Sequence, residues 1–456
     1  MTGDCSYNCS QRPNIEFDSD ITGPGVVIGY VGAAGITVVL IIFHFLVAYE
    51  PGLDPFRDEN NAGYRSVPFR PNPVDLMILR FIKWPFKRFK GFRGSNPSSW
   101  SYFNTPLTRQ SILAMSDLQL ATGTAILISG YAQLRCGLSS YHWLVITRLA
   151  WFSSLTHLSC LTFLRNYLYK QKSQRQWRLV FMLVLVIMLI TAMVPTGGYM
   201  WNYAISVMPG YAICLFSTPV LSGSVGTIMS MAILVLLIGL GFIFRVIKLH
   251  KPLSLFMVKT LRRNISQYLR GLLWMLYRWK DHSKRPRRVA GIILYYPALA
   301  LFLSLRLVAD HFSSMFFEVY WLLASFLIGL WSLLRILNVS HLEPHFDTLF
   351  NGININKWSF GQVMPVILLA TPLINVLESF YPDQQTGIKS NTCSSLNHSL
   401  ESSISVDIRR PSTFPSFSSD TLDPDQNYYL HSTAMGVGTA YILTFELGFT
   451  LYWSWD

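Results

Sequence analysis

Charge is what this sequence has least of. Only 13% of its 456 residues are Asp, Glu, Lys or Arg, against about 25% in water-soluble domains. That is too little to cover a water-facing surface, so a conventional soluble domain is excluded. A cleavable leader is missing too. The first 23 residues are polar and acidic, with no cationic stretch ahead of an apolar core. The first apolar run then has to act as the signal anchor. None of the six cysteines (Cys5, Cys9, Cys136, Cys160, Cys214 and Cys393) forms a CxxC pair, which argues against a zinc site. There is no DDxxD, GxSxG, HExxH or Walker loop. Asp423-Pro424-Asp425 lies in a polar loop and makes a poor magnesium site, so metal-driven ionisation of a diphosphate is not supported. No metal and no cofactor is expected. The internal repeat common in transporters is also lacking.

What is abundant is apolar residues, 51% of the chain, gathered into runs of roughly 18–25. A helix of that length crosses a ~30 Å hydrocarbon core with every backbone hydrogen bond satisfied internally. The pattern predicts an all-α integral membrane bundle of about nine spans, at 25–48, 112–134, 142–168, 179–195, 225–247, 289–308, 316–334, 358–380 and 435–453. A polar tail covers 1–24, spans one to eight fill 25–380, a Ser/Thr/Asp/Pro-rich loop expected to be disordered covers 381–434, and the ninth span closes the chain at 435–456.

The net charge of +13 follows from topology rather than from nucleic-acid binding, which is not expected. Ten cations lie between Arg57 and Arg109 in the 49–111 loop, four between Lys170 and Arg178, and twelve between Lys248 and Arg288 in the 248–288 loop. The alternate loops are nearly bare. The positive-inside rule then puts the basic loops and the C-terminus in the cytosol and the N-terminus in the lumen of the endoplasmic reticulum or another secretory membrane. The sequons at Asn8 and Asn397 fall on the lumenal side as candidate glycosylation sites. So do five of the cysteines, where disulfides persist. Segment 251–288 mixes its cations with Leu272, Trp274 and Trp279. It reads either as an amphipathic helix on anionic headgroups or as a solvated basic loop.

Ionisable residues inside spans are costly and functional by default. Glu446, in the middle of span nine, is either a protonated acid able to protonate an alkene or epoxide or a structural hydrogen bond. Arg148 needs a partner. One reading is a helix-locking ion pair; the other is a polar pocket built from Arg148, His142, Asp310, His311, Glu318 and Glu378 at the lumenal face. Asp117 is either a helix cap or an acid. Arg165, Arg245, Arg306 and Arg335, near span ends, are expected to snorkel to water.

Three stretches carry a resemblance. They are Ser116-Asp117-Leu118-Gln119-Leu120-Ala121-Thr122-Gly123, then Tyr141-His142-Trp143 with Trp151-Phe152-Ser153-Ser154-Leu155-Thr156-His157-Leu158, then Trp358-Ser359-Phe360-Gly361-Gln362-Val363-Met364-Pro365. Together they resemble a large family of filamentous-fungal multi-pass membrane proteins, over roughly residues 100–380 and part of the last span. The resemblance implies a membrane terpene cyclase of the kind found in macrophorin and ascofuranone pathways. Such an enzyme cyclises a lipophilic prenylated substrate by protonation, without metal. The family brings no catalytic motif to these positions, so the acid is sought among Glu446, Glu378 and Asp117 on physical grounds. The rival readings are a non-catalytic transporter or receptor-like protein, and a structural or trafficking protein of the endoplasmic reticulum.

Overall fold

The computed structural model describes residues 9, 18–49, 51, 71–88, 106–198, 210–217, 225–256, 263–282, 285–342 and 358–380. Its helices, in chain order, are α1 (Ser19–Thr22), α2 (Pro24–Phe43), α3 (Pro73–Arg88), α4 (Pro106–Gln133), α5 (Ser140–Phe163), α6 (Arg165–Lys170), α7 (Lys172–Met193), α8 (Ala212–Ser217), α9 (Val225–Leu249), α10 (Lys251–Leu255), α11 (Arg263–His282), α12 (Arg285–Ser313), α13 (Met315–Leu342) and α14 (Phe360–Phe380). A π-turn extends α2 through His44–Ala48, and a 3-10 turn ends α7 at Val194–Gly198. Among the described residues no strand forms; a single bridge joins Ser139 to Tyr211.

Local chemistry sets the starts. Pro24 opens α2, where its missing N–H costs nothing. Asn72 Oδ1 accepts from the Val74 amide at the start of α3, and the Ser139 hydroxyl accepts from the His142 amide at the start of α5. Gly137, at φ +93°, makes the left-handed turn between α4 and α5.

Seven helices are long and apolar enough to cross a membrane, at Ser19–Leu46, Ile112–Gln133, Ser140–Phe163, Lys172–Gly198, Val225–Leu249, Ile293–Ser313 and Met315–Leu337, with a shorter apolar stretch at Phe360–Ala370. These correspond to expected spans one to seven and to part of the eighth. The ninth lies outside the described residues. The all-α membrane bundle is therefore the architecture. Outward-facing apolar residues such as Val180, Phe181 and Ile187 on α7 and Ile243 on α9 present the surface that lipid requires.

Helix α5 is its axis. Every residue from His142 to Thr162 is buried, with α4, α2, α13, α7 and α9 packed around it. Lipid offers no hydrophobic drive for helices to associate, so close packing and interhelical hydrogen bonds do the work. Trp143 Nε1 donates to Ala192 O at 3.1 Å, Trp151 Nε1 to Ser325 O at 3.3 Å and Tyr30 Oη to Thr122 O at 3.0 Å. Trp321 Nε1 donates to Leu237 O at 3.1 Å.

The same contacts fix directions. Gly123 meets Ser153 while Ser116 meets His157, so α4 and α5 are antiparallel. Asp117 meets Arg178 and Tyr131 meets Met188, so α4 and α7 are parallel. Gln362 lies over Gly25, Pro365 over Gly29 and Leu369 over Gly32, so α2 and α14 are parallel. Phe316 meets Phe45 and Phe326 meets Gly35, so α13 opposes α2. Thus α2, α5, α9 and α14 run one way, and α4, α7 and α13 the other.

This arrangement corrects one expectation. Spans six and seven were placed so that Lys248 and Glu318 lay on opposite faces; instead they touch, at 2.6 Å. The physical reason is that α11 and α12 pair with each other as a hairpin. Beyond its partner, α12 packs on α13 and α3, through its last turns: Phe312 meets Phe317 and Phe244, and Asn72 Nδ2 donates to Asp310 O. The hairpin leaves from the end of α9 and returns to it. At the other end of the bundle, Cys9 is disulfide-bonded to Cys214 and Cys136 is disulfide-bonded as well. Cys9 and Cys214 therefore lie together at one end of the bundle. Cys160 is free and buried.

Candidate site: a buried ion network at one end of the bundle

Three clusters of polar side chains lie in the bundle. The largest closes the end where α9 stops and α13 begins. Lys248 Nζ donates to Glu318 Oε1 at 2.6 Å and to Ser314 O at 3.3 Å. Both side chains are largely buried, 16% and 8% exposed. Glu318 also feels the charges of Arg245 and Arg165. Arg245 is anchored, Nε donating to Thr162 Oγ1 and Nη1 to Gly241 O, each at 2.9 Å. This corrects the expectation that Arg245 snorkels to water: it is 5% exposed and points into the bundle.

Asp75, on α3, completes the network. Its Oδ2 accepts from the Met315 amide at 3.0 Å and its Oδ1 from the Phe316 amide at 2.9 Å. A carboxylate therefore caps α13, at the end where the helix dipole favours negative charge. Ser314 Oγ takes the next amide, from Phe317, at 3.0 Å. Tyr49 Oη donates to Asp75 Oδ2 at 3.1 Å. Burial pushes the Asp75 carboxyl above the ordinary aspartate range, with the two amides, Tyr49 and Lys248 pulling it back. Burial, and then the Asp75 charge, push the Tyr49 phenol well above its ordinary value. The network thus ties the chain after α2 to α3, α5, α9 and α13.

The second cluster joins α4 to α7. Arg178 grips Asp117 through both oxygens, Nε to Oδ1 at 2.8 Å and Nη2 to Oδ2 at 2.7 Å. Gln174 Oε1 accepts from Arg178 Nη1 at 3.3 Å, and Arg178 lies over the Trp177 ring. A fork-on-fork pair of this kind engages both carboxylate oxygens as acceptors. Asp117 is therefore neither the free acid nor the helix cap it was expected to be, because α4 begins eleven residues earlier, at Pro106. Beside it, Ser116 Oγ and His157 Nδ1 lie 2.7 Å apart. Ser153 donates to Gln119 O.

The third cluster is on the first half of α5. Ser139 Oγ lies 2.7 Å from His142 Nδ1. Arg148 is 4% exposed, and among the described residues its Nε and Nη1 have no hydrogen-bond partner. The expected pocket of Arg148 with Asp310, His311 and Glu318 does not form. Trp151, on the same helix, packs at Ser325, and Glu318 lies seven residues before Ser325, toward the ion-network end. At 1.5 Å per residue, Arg148 and Glu318 are roughly 15 Å apart along the bundle. Asp310 and His311 lie at the ion-network end too, with Asn72 and Phe317.

Glu378 falls in the last turn of α14, also toward the ion-network end, and its side chain lies outside the described residues. Glu446, Asn8 and Asn397 lie outside them as well. Among the described residues no three His, Cys, Asp or Glu side chains are grouped to hold a metal ion.

Sequence reading missed Lys248, Asp75, Tyr49 and Arg178. For Asp75 there was a signal: an acidic residue at the start of an amphipathic, Pro-opened helix within a basic loop. For Lys248 there was none, because its partner was assigned to the other face. Comparison with family models, with characterised proteins and with solved structures gives no match for this chain.

Proposed function

We propose that this chain is a non-catalytic, receptor-like membrane protein that changes conformation at the end closed by the Lys248–Glu318 pair. The observation that carries this reading is that buried pair, set against the Asp75 cap of α13. A buried ion pair adds little net stability, because desolvation offsets the Coulomb gain, yet breaking it is costly. Such a pair is a poor glue and a good latch. It bridges α9 and α13, the two helices joined by the α11–α12 hairpin. Opening it would separate the helices at that end without disturbing the disulfide-tied end. The basic segments next to the latch, Lys170–Arg178 and Lys248–Arg288, support a cytosolic placement of this end in a secretory-pathway membrane.

A terpene cyclase, which the family resemblance implies, needs a protonated acid facing an apolar substrate cavity. Of the acids sought for that role, Asp117 is engaged as an acceptor by Arg178, and Glu446 and the Glu378 side chain lie outside the described residues. Membranes carrying the protein are expected to return farnesylated phenols and their epoxides unchanged. A new isomer of unchanged mass, lost on Glu446→Gln, would establish the cyclase instead.

The latch is tested with spin labels at Ile243, an exposed position on α9, and Phe81, an exposed position on α3. Double electron–electron resonance on reconstituted protein is expected to give one narrow distance distribution, with a second, longer component on Glu318→Gln. An unaltered distribution in that variant would sink the switching role.

A further inference from the structure

We propose that the α11–α12 hairpin is an in-plane lipid-binding arm that recognises an acidic phospholipid leaflet.

The arm has an unusual surface for a segment beside a helical bundle. On α11, Ile265, Leu269, Leu272 and Leu276 recur at three- and four-residue spacing and share one face. Gln267, Arg270, Trp274 and Arg278 share the other. Tyr268, next to the apolar stripe, is 78% exposed. Its partner helix exposes Ile293, Leu294, Tyr296, Leu301 and Leu305, each about half exposed or more. Ile265 and Leu272 of α11 are nearly half exposed as well, so both helices of the hairpin present apolar side chains that water would not leave uncovered. Among the described residues, α11 and α12 pack chiefly on each other, and α12 reaches α13 and α3 near its root.

Charge identifies what does cover it. Segment 251–288 carries eleven Lys and Arg against one acid, Asp281. Arg278 lies over the Trp274 ring, its Cζ 5.2 Å from the centroid. Cations beside aromatic and apolar side chains match an anionic headgroup layer above acyl chains. The root of the arm sits at the end of the α9 span, so the arm begins at membrane-surface level. The alternative, in which α12 crosses the bilayer, demands that α11 cross too, because both ends of the hairpin meet the same end of the bundle. Arg270 and Arg278 would then lie within hydrocarbon. This inference requires that the hairpin begins and ends at one end of a membrane-embedded bundle, and stands whether or not the latch switches.

The test uses the full chain in nanodiscs, of neutral phosphatidylcholine or of phosphatidylcholine with one-third phosphatidylglycerol. A spin label at Tyr268 reports collision with oxygen, which concentrates in lipid, and with a water-soluble nickel chelate. In acidic discs the oxygen-to-nickel ratio is expected to rise several-fold over neutral discs. The double variant Arg270→Glu/Arg278→Glu is expected to abolish the rise. A nickel-accessible label in both disc types would overturn the proposal in favour of a protein partner. A lipid-buried label that is indifferent to composition and to charge reversal would overturn the acidic selectivity. A thiol at Val289 that is reached only from the disulfide side would establish a spanning α12 and overturn it altogether.

Discussion

Glu318 has Lys248 at 2.6 Å and almost no solvent, and this pairing sets what substitution does. Removing one partner of a buried pair leaves the other charge stranded. Glu318→Gln is therefore expected to cost about 3–5 kcal/mol, read as a large fall in thermal unfolding temperature in detergent. The double variant Lys248→Met/Glu318→Leu is expected to recover most of it, because an apolar pair of similar volume is tolerated. A double variant no better than the single would mean that the ions are held for stability rather than as a latch. Asp75 gives a pH signature. Its folded pKa is raised, so the folded protein binds more protons at this carboxyl than the unfolded chain does. Stability from this group is then greatest below the unfolded pKa and falls as pH rises through the folded one. The difference in unfolding temperature between wild type and Asp75→Asn is expected to change as pH rises from the unfolded pKa through the raised folded one, and to be flat outside that window. A flat difference would contradict the raised pKa. Individual residues were the least legible level in the sequence. Arg148 and His142 were rightly singled out as buried polar groups, but a residue's partner depends on helix direction, and one wrong direction misassigned Glu318, Asp310 and His311 together.

Packing between elements turns on two close approaches. A Cβ at Gly329 would meet Trp151 Nε1 at 2.5 Å, displacing an indole that is hydrogen-bonded to Ser325 O. A Cβ at Gly29 would run into the Pro365 ring of α14. Gly329→Ala and Gly29→Ala are each expected to destabilise by about 1–3 kcal/mol, the range for overpacking. Gly226, whose added Cβ meets nothing within 4 Å, is the control and is expected to tolerate alanine. The Cys9–Cys214 bond joins residues 205 positions apart. Cys9→Ser is expected to cost about 2–5 kcal/mol, measured under conditions that leave the other disulfide intact. Elements were the most legible level. Hydropathy located the helices because lipid imposes one length and one polarity on every span. Their starts were less clear: α4 begins six residues before its expected span, since Pro106-Leu107-Thr108-Arg109 is helical but not apolar.

For the whole molecule, apolar length and composition located the spans, while the alternation of positive charge in the loops assumed that each apolar run is one crossing. It failed at α11 and α12. Span six qualifies by length and composition, yet the hairpin that it forms with α11 leaves from and returns to one end of the bundle. Hydropathy measures whether a helix tolerates lipid, and a helix lying in the interface tolerates it too. The consequence reverses α13 and brings α9 and α13 together at a single charged end. Everything proposed here rests on that reversal, and thiol accessibility tests it directly. The free cysteine among the described residues, Cys160, is buried, so introduced thiols read out cleanly. Single cysteines at Leu253, Ser313 and Ser217, all exposed, would be labelled with an impermeant maleimide in sealed vesicles. Ser313 is expected to react from the same side as Leu253 and from the side opposite to Ser217. Reaction of Ser313 from the side of Ser217 would mean that α12 crosses the membrane and that the ion-network end does not exist as described.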